Sequence, residues 1–376
     1  MFFSAISAVV LACAAQQAAR GIAEFNQRIR QAELERSAGN LAATEAMLAG
    51  LEKAIDENGW PKVWQAAVLD ERALLRDDEG LPAEAILFYE RALAIVREQH
   101  SPSDRFLGLT LANLAAAHVD CKEPEIALSL SEEAMTLLRK ASPPDYATAL
   151  YAHGMALHGM GRDSDALHDL REALAMRTAE AKPDNTQIAV VDEAIGSCLA
   201  ALGYLQKAEA AERDAVAVRS RYSGPDSLGV GASLNNLAVM LAGEQRYSEA
   251  EESLQKAIAI LERAGDAGVH RLLGVLANLG ALYSLQAAGS REYSARAEKV
   301  YRRALEIEQQ VFGDSDVRAS STLEALGEVL YQQRSYNEAA ALYHRGLTLQ
   351  QTIFGAADPR TQAAEKRYRA LAKKAK

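Results

Sequence analysis

The sequence predicts an all-α protein, a solenoid in which antiparallel helix pairs stack one on the next. A small residue recurs at intervals of 39 to 47 residues, in the series Ala85, Ala127, Ala166, Ala208, Ala250, Ala297 and Ala339, and a fixed period of this length is typical of repeat architectures. The composition is 49% hydrophobic with only 9 prolines, which suits helices. Because a solenoid grows by adding neighbours, we expect one elongated domain.

Each period predicts a hairpin of two helices. Further small residues precede the recurring alanines, and those of the last two periods are Gly280 and Gly327. Helices whose axes approach to about 8–10 Å need small side chains where they cross. In the fifth period, residues 237–241 have apolar spacing typical of a helix, residues 243–246 break it, and a second helix follows over residues 248–263.

Helix starts are marked by proline next to aspartate. Pro precedes Asp145, Asp184 and Asp226, and Asp358 stands before Pro359. Aspartate accepts hydrogen bonds from the free amides of a first turn, and proline needs no amide partner there. These pairs therefore predict boundaries between loops and helices.

Two segments carry a resemblance to a known family. Residues 233–238 (SLNNLA) with 247–251 (YSEAE), and residues 276–283 (LANLGALY), are similar to the motif of the tetratricopeptide repeat (TPR). The 42-residue spacing resembles the kinesin-light-chain and nephrocystin type of that repeat. The resemblance covers residues 61–357 as seven repeats and implies a right-handed superhelix. It also implies that the first helix of each pair lines a concave groove, which binds an extended peptide or helix of a partner protein.

The family's groove positions, carried onto this sequence, give a set of candidate binding residues. They are Asp70, Glu71, Asn113, Tyr151, His158, Glu193, Asn235, Asn236, Asn278, Glu324, Glu328 and Tyr331. The set is polar and rather acidic, and we find no ladder of Lys or Arg on that face. A neutral or basic extended segment is therefore the partner that we expect.

Asparagine occupies one equivalent position in three repeats, at Asn113, Asn236 and Asn278. Its side chain offers a donor and an acceptor, so it can pair with the backbone of a bound peptide. In kinesin-light-chain-like repeats such asparagines contact the peptide. The alternative is an asparagine that bonds to the neighbouring repeat.

The two ends of the array are expected to be atypical, because a terminal repeat has one face without a neighbour. Residues 21–60 resemble a degenerate helical repeat, and residues 358–376 predict a basic capping helix. A basic helix can also bind nucleic acid or anionic lipid. The net charge of the chain is −10, so we expect no nucleic-acid partner.

The N-terminal residues 1–20 have the pattern of a signal peptide. Residues 2–15 are almost continuously apolar, too short to span a bilayer and suited to a secretory apolar region. This favours export, periplasmic or secreted, over the cytoplasm, and we expect no transmembrane helix. A lipid anchor at Cys13 and an apolar first helix packed on the next repeat are the alternatives.

Catalytic motifs are missing from the sequence. We find no glycine-rich phosphate loop, HExxH, paired-cysteine spacing or Gly-x-Ser-x-Gly. His153 and His158 are five residues apart, which places them on different parts of a helix. We therefore expect no enzyme, no catalytic residue, no cofactor and no metal. The predicted function is a scaffold or adaptor that binds proteins; the alternatives are a sensor of peptides or small ligands whose superhelix changes shape, and self-association.

Overall fold

A computed structural model describes residues 20–36, 38–98, 104–181 and 183–374, and over these ranges the chain is all-α. Seventeen α-helices and one short 3-10 helix, Gly265–Gly268, lie in the described ranges, which contain no strand. The predicted solenoid of helix pairs is confirmed. The predicted signal peptide and Cys13 lie outside the described residues.

The chain divides into two compact units, one ending at Gly229 and the other beginning at Val230. This boundary falls inside the array predicted over residues 61–357. The first unit holds α1 (20–36), α2 (Leu41–Asn58), α3 (Val63–Glu79), α4 (Pro82–Glu98), α5 (Asp104–Asp120), α6 (Pro124–Leu138), α7 (Pro143–Gly159), α8 (Asp163–Thr178), α9 (Asn185–Ala201) and α10 (Leu205–Tyr222). From the boundary onward follow α11 (Leu228–Gly243), α12 (Tyr247–Arg263), α13 (Val269–Gln286), α14 (Arg291–Phe312), α15 (Ala319–Gln332), α16 (Tyr336–Phe354) and α17 (Pro359–Ala372).

Consecutive helices pack on one another within each unit, as in α3 on α4, α5 on α6 and α15 on α16. The recurring small residues lie where the predicted register requires them. Ala85, Ala127, Ala166, Ala208, Ala250, Ala297 and Ala339 are all completely buried. The periodic alanines are therefore the close-approach sites of the hairpins.

Large and small side chains are matched across several hairpins. A Cβ atom placed on Gly280 would lie 2.5 Å from the ring of Tyr301, and one on Gly327 would lie 2.7 Å from the ring of Tyr343. In each case the aromatic ring stands four residues after the periodic alanine of the second helix. The glycines are thus required by the bulk of the facing ring, because an interior at this density has no spare room.

Two of the predicted aspartates, Asp184 and Asp358, cap their helices, and a third, Asp145, stands at a helix start without capping it. The carboxylate of Asp184 accepts from the amides of Thr186 and Gln187, and that of Asp358 accepts from the amide of Arg360. Asp145, in contrast, lies within the first turn of α7, which begins two residues earlier at Pro143. Its carboxylate instead accepts from the Arg105 guanidinium at 2.7 and 2.8 Å, because the extra proline moves the helix start upstream.

Among the described residues, none of the helices has both the length and the apolar character that crossing a membrane requires. The basic segment near the C-terminus forms α17, which packs on α16.

Candidate functional site

The predicted binding residues lie on the first helices of the pairs, and several reach the equivalent helix of the next pair. The Thr110 hydroxyl donates to Asp70 at 2.7 Å, which links α5 to α3. The Asn278 amide donates to the Asn235 oxygen at 2.8 Å, which links α13 to α11. Neighbouring repeats are therefore joined by polar side chains on this face as well as by the apolar core.

The three equivalent asparagines differ in their surroundings. Asn278 is half-buried and bonds to the neighbouring repeat through Asn235. This is the second of the two roles that the sequence analysis gave for these asparagines. Asn113 is also half-buried, while Asn236 is exposed. A side chain on the surface can meet a partner directly, so Asn236 is the best placed of the three.

Most acidic members of the predicted set have an arginine of the same chain beside them. Arg36 lies 2.5 Å from Glu71 and Arg219 lies 2.6 Å from Glu193. The sequence offers no ladder of Lys or Arg at the motif positions, and the two arginines beside these carboxylates stand elsewhere in the repeat. These arginines come from α1 and α10, outside the motif positions that defined the face, so only the packing of helices brings them to it.

A third acidic residue, Glu324 on α15, pairs with Arg367 of α17 and accepts a hydrogen bond from Gln350 at 3.2 Å. Arg367 belongs to the basic segment that the sequence assigns to capping. Helix α17 thus supplies a positive charge beside Glu324 on α15.

Burial changes the protonation of two of these carboxyl groups. It raises the pKa of Glu71 to about 7, although Arg36 acts in the opposite direction. It also raises the pKa of Asp70 to about 6, against the hydrogen bond from Thr110. Each of these carboxylates therefore takes up a proton at a higher pH than an exposed carboxylate does.

Two of the remaining predicted residues, His158 and Glu328, have partners within their own hairpins. His158 places Nδ1 2.5 Å from Asp163, and the Tyr343 hydroxyl donates to Glu328 at 3.3 Å. Tyr331 contacts Lys374 through its hydroxyl. Tyr151 is half-buried, and desolvation raises the pKa of its hydroxyl.

A small apolar pocket lies between α11 and α13 in the second unit. Its volume is about 240 Å³, and its lining is Ala238, Val239, Ala242, Gly243, Leu254, Asn278, Ala281, Leu282 and Leu285. Val239 and Leu285 are 53% and 64% exposed. The sequence analysis missed both residues. The sequence alone does not show whether a single apolar residue of a helix points into the core or to the surface.

A second pocket, of about 570 Å³, lies among α15, α16 and α17. It is lined by Glu324, Ala325, Glu328, Tyr343, Arg367, Ala370 and Leu371, so it brings together two of the predicted residues. A cavity of about 930 Å³ in the first unit, lined by Pro143, Pro144 and Met176 among others, holds none of them.

Comparisons with known proteins agree with this architecture. A family model described as tetratricopeptide repeat matches residues 106–179 and 187–263, and a second model of the same description matches residues 320–360. Together the matched residues make up just over half of the chain.

Relatives include kinesin-light-chain-like proteins. The Arabidopsis thaliana protein kinesin light chain-related 2 is 35% identical over 112 residues, 29% of this chain and 16% of that protein. The chain spans less than a fifth of the length of the curated relatives it matches.

Among solved structures, BtubC (BKLC) from P. vanneervenii is 21% identical, with a TM-score of 0.51, over 64% of this chain and 92% of that one. NprR in complex with its cognate peptide NprX is 14% identical, with a TM-score of 0.57, over 82% and 86% of the two chains. At these identities the likeness concerns the fold. The matched repeats, the buried alanine register and the stacked hairpins all agree: the chain belongs to the tetratricopeptide repeat family.

Proposed function

We propose that the chain is a non-enzymatic scaffold or adaptor that binds an extended segment of a partner protein on the first-helix face of its second unit. In this proposal residues 61–357 form the repeat array, and residues 21–60 and 358–376 close its ends. The observation that carries the proposal is the apolar pocket between α11 and α13, with its asparagines beside it.

The size and lining of this pocket suit one apolar side chain. Isolated exposed apolar residues are common on protein surfaces, but Val239 and Leu285 border a concavity floored by alanines. Its volume of about 240 Å³ is below the roughly 300–1,000 Å³ of typical small-molecule sites. An apolar residue of a longer segment is therefore a better occupant than a free small ligand.

The asparagines beside the pocket suit a peptide backbone. Asn278 lines the pocket and is held by Asn235, while Asn236 precedes Val239 by three residues and shares its side of α11. Amide side chains both donate and accept, so they can bind backbone groups whatever the sequence of the segment. The apolar pocket would then supply the sequence preference.

The charge of the pocket among α15, α16 and α17 supports a neutral or basic segment. Two carboxylates, Glu324 and Glu328, face one guanidinium, Arg367. This excess of negative charge disfavours an acidic partner.

The test uses peptides selected on the full chain from a random display library, with affinities measured by fluorescence polarisation. We expect Leu285→Glu and Val239→Glu to weaken binding by roughly tenfold or more, about 1.4 kcal/mol. We also expect Asn236→Ala with Asn278→Ala to weaken it while helicity stays intact. Leu87→Glu is the matched control, because Leu87 is 59% exposed on α4 of the first unit. Equal affinities for the Leu285 and Leu87 variants would contradict the proposal.

A second candidate function is a sensor that changes shape when it binds a peptide. The specific observation in its favour is the likeness of fold to NprR in its peptide complex, over 82% of this chain. Small-angle scattering separates the two candidates, because a sensor changes its dimensions when a selected peptide is added and a scaffold does not. Self-association, the third candidate, predicts a mass in sedimentation equilibrium that rises with concentration without any peptide.

A further inference from the structure

Three side chains with metal-binding atoms meet in the first unit. His158 lies at the end of α7, Asp163 opens α8, and Cys198 lies in α9. The Nδ1 atom of His158 is 2.5 Å from Oδ1 of Asp163, and the ligand atoms of all three residues lie within 4.8 Å of one another. Cys198 follows His158 by 40 residues and Asp163 by 35, so the packing of α9 on α8 brings the thiol to this pair.

The donor set is of a mixed type that suits one class of cation. An imidazole nitrogen, a carboxylate oxygen and a thiolate sulfur are the ligands that Zn²⁺ accepts, whereas Ca²⁺ and Mg²⁺ prefer oxygen alone. Ligand bonds of about 2.0–2.3 Å in a tetrahedral arrangement separate the donors by roughly 3.3–3.7 Å. To reach that spacing, His158 and Asp163 must part by about 0.8 Å from their 2.5 Å contact, and ligand atoms up to 4.8 Å apart must approach by about 1 Å.

The cluster is also accessible from one side. The side chains of His158 and Asp163 are 26% and 12% exposed, whereas Cys198 is completely buried. A cation can therefore approach from the solvent side past the His158 imidazole and reach the buried thiol of Cys198. The negative charges of a carboxylate and a thiolate would balance a divalent ion.

The preceding hairpin provides an internal comparison. His118 places Nδ1 2.7 Å from Glu123 across the turn between α5 and α6, in the same five-residue spacing as His158 and Asp163. A histidine–carboxylate contact is thus a recurrent feature of these turns. Among the described residues, only the His158 contact gains a third ligand from the next helix.

We propose that His158, Asp163 and Cys198 form a Zn²⁺ site that joins α7, α8 and α9, with one coordination position open to water. The site lies in the first unit and is independent of the peptide surface assigned to the second. It departs from the sequence expectation of no metal, because that expectation considered histidines close in sequence and missed a cysteine one repeat away.

The test titrates Co²⁺, a spectroscopic substitute for Zn²⁺, into the full chain carrying Cys13→Ser and Cys121→Ser, so that Cys198 is the only thiol. We expect one Co²⁺ per chain, a thiolate-to-cobalt absorption band, and loss of that band when Zn²⁺ is added. His158→Gln should weaken binding by more than about tenfold, since even outer contacts of metal ligands contribute that much. His118→Gln is the matched control and should bind as the parent does.

A second measurement guards against variants that fold poorly. Zn²⁺ should raise the melting temperature of the wild-type chain, because an ion that binds only the folded state stabilises it. It should leave the melting temperature of Cys198→Ser unchanged. The proposal is overturned if the parent shows no thiolate band, if His158→Gln binds as tightly as His118→Gln, or if Zn²⁺ stabilises Cys198→Ser as much as the wild type.

Discussion

Gly280 and Gly274 lie in the same helix, α13, and the same substitution to alanine should change stability in opposite directions. At Gly280 a Cβ atom would lie 2.5 Å from two atoms of the Tyr301 ring and 2.9 Å from a third. At Gly274 it would meet nothing within 4 Å. Both glycines lie in the interior of one helix, so the change in helix propensity is the same for both. The difference between the two changes in unfolding free energy therefore reports the contact with the facing helix.

The magnitudes follow from two opposing effects. Alanine is better than glycine in a helix by about 1 kcal/mol, because it loses less backbone entropy on folding. Overpacking of a dense core costs about 1–3 kcal/mol, and the Tyr301 ring is nearly buried and cannot move aside freely. We expect Gly274→Ala to stabilise by up to about 1 kcal/mol and Gly280→Ala to destabilise by about 1–2 kcal/mol.

The assay is urea unfolding followed by far-UV circular dichroism, with hydrogen exchange of α13 amides as a local measure. A rescue variant makes the test specific. In the preceding hairpin, Ala238 stands at the position of Gly280 and Leu254 at the position of Tyr301, so an alanine fits against a leucine there. In a Tyr301→Leu background, Gly280→Ala should therefore cost less than in the wild type. If both glycine variants are stabilised equally, or if Tyr301→Leu brings no relief, the close contact between these helices is refuted.

Two further predictions concern buried charges. Arg219→Met removes a guanidinium that binds Glu193 at 2.6 Å and the Gly229 carbonyl at 3.0 Å; it should destabilise by about 3 kcal/mol. Adding Glu193→Gln should recover part of that loss in a double-mutant cycle, and strict additivity would contradict the pairing. Burial, with a smaller contribution from Glu193, raises the pKa of Glu212 to about 8 from 4.5, so the wild-type chain should lose stability as pH rises between those values. Glu212→Gln should reduce the loss of urea-unfolding stability over that window, leaving the part due to Asp70 and Glu71, and be the more stable chain near pH 8; parallel curves would show that Glu212 does not titrate there.

The burial of the periodic alanines could be predicted, because it depends on local chemistry. The periodic alanines, the turn after residue 243 and the capping aspartates Asp184 and Asp358 all appear where the pattern places them. Each depends on a neighbour within one hairpin or one turn. The departure at Asp145 is also local, because one additional proline, Pro143, moves the start of α7 upstream.

The candidate site could be predicted only in outline. The register placed Asn235, Asn278, Glu324 and Glu328 on the first helices, and the structure brings each of them to a contact or a pocket there. The register could not predict that Arg219 pairs with Glu193, or that Val239 and Leu285 line the same pocket. Long side chains reach between helices in directions that the repeat motif does not specify.

The sequence by itself determined that this chain is a stack of helical hairpins. Small residues at a fixed period let the helices pack closely, and stacking each hairpin on the next buries their apolar faces. The tertiary structure decided which charges are paired, which apolar side chains remain on the surface, and that His158, Asp163 and Cys198 meet. Several of these contacts join residues far apart in the sequence, such as Glu193 with Arg219 and His158 with Cys198. Their distances depend on how each helix packs on its neighbours, which no local pattern encodes.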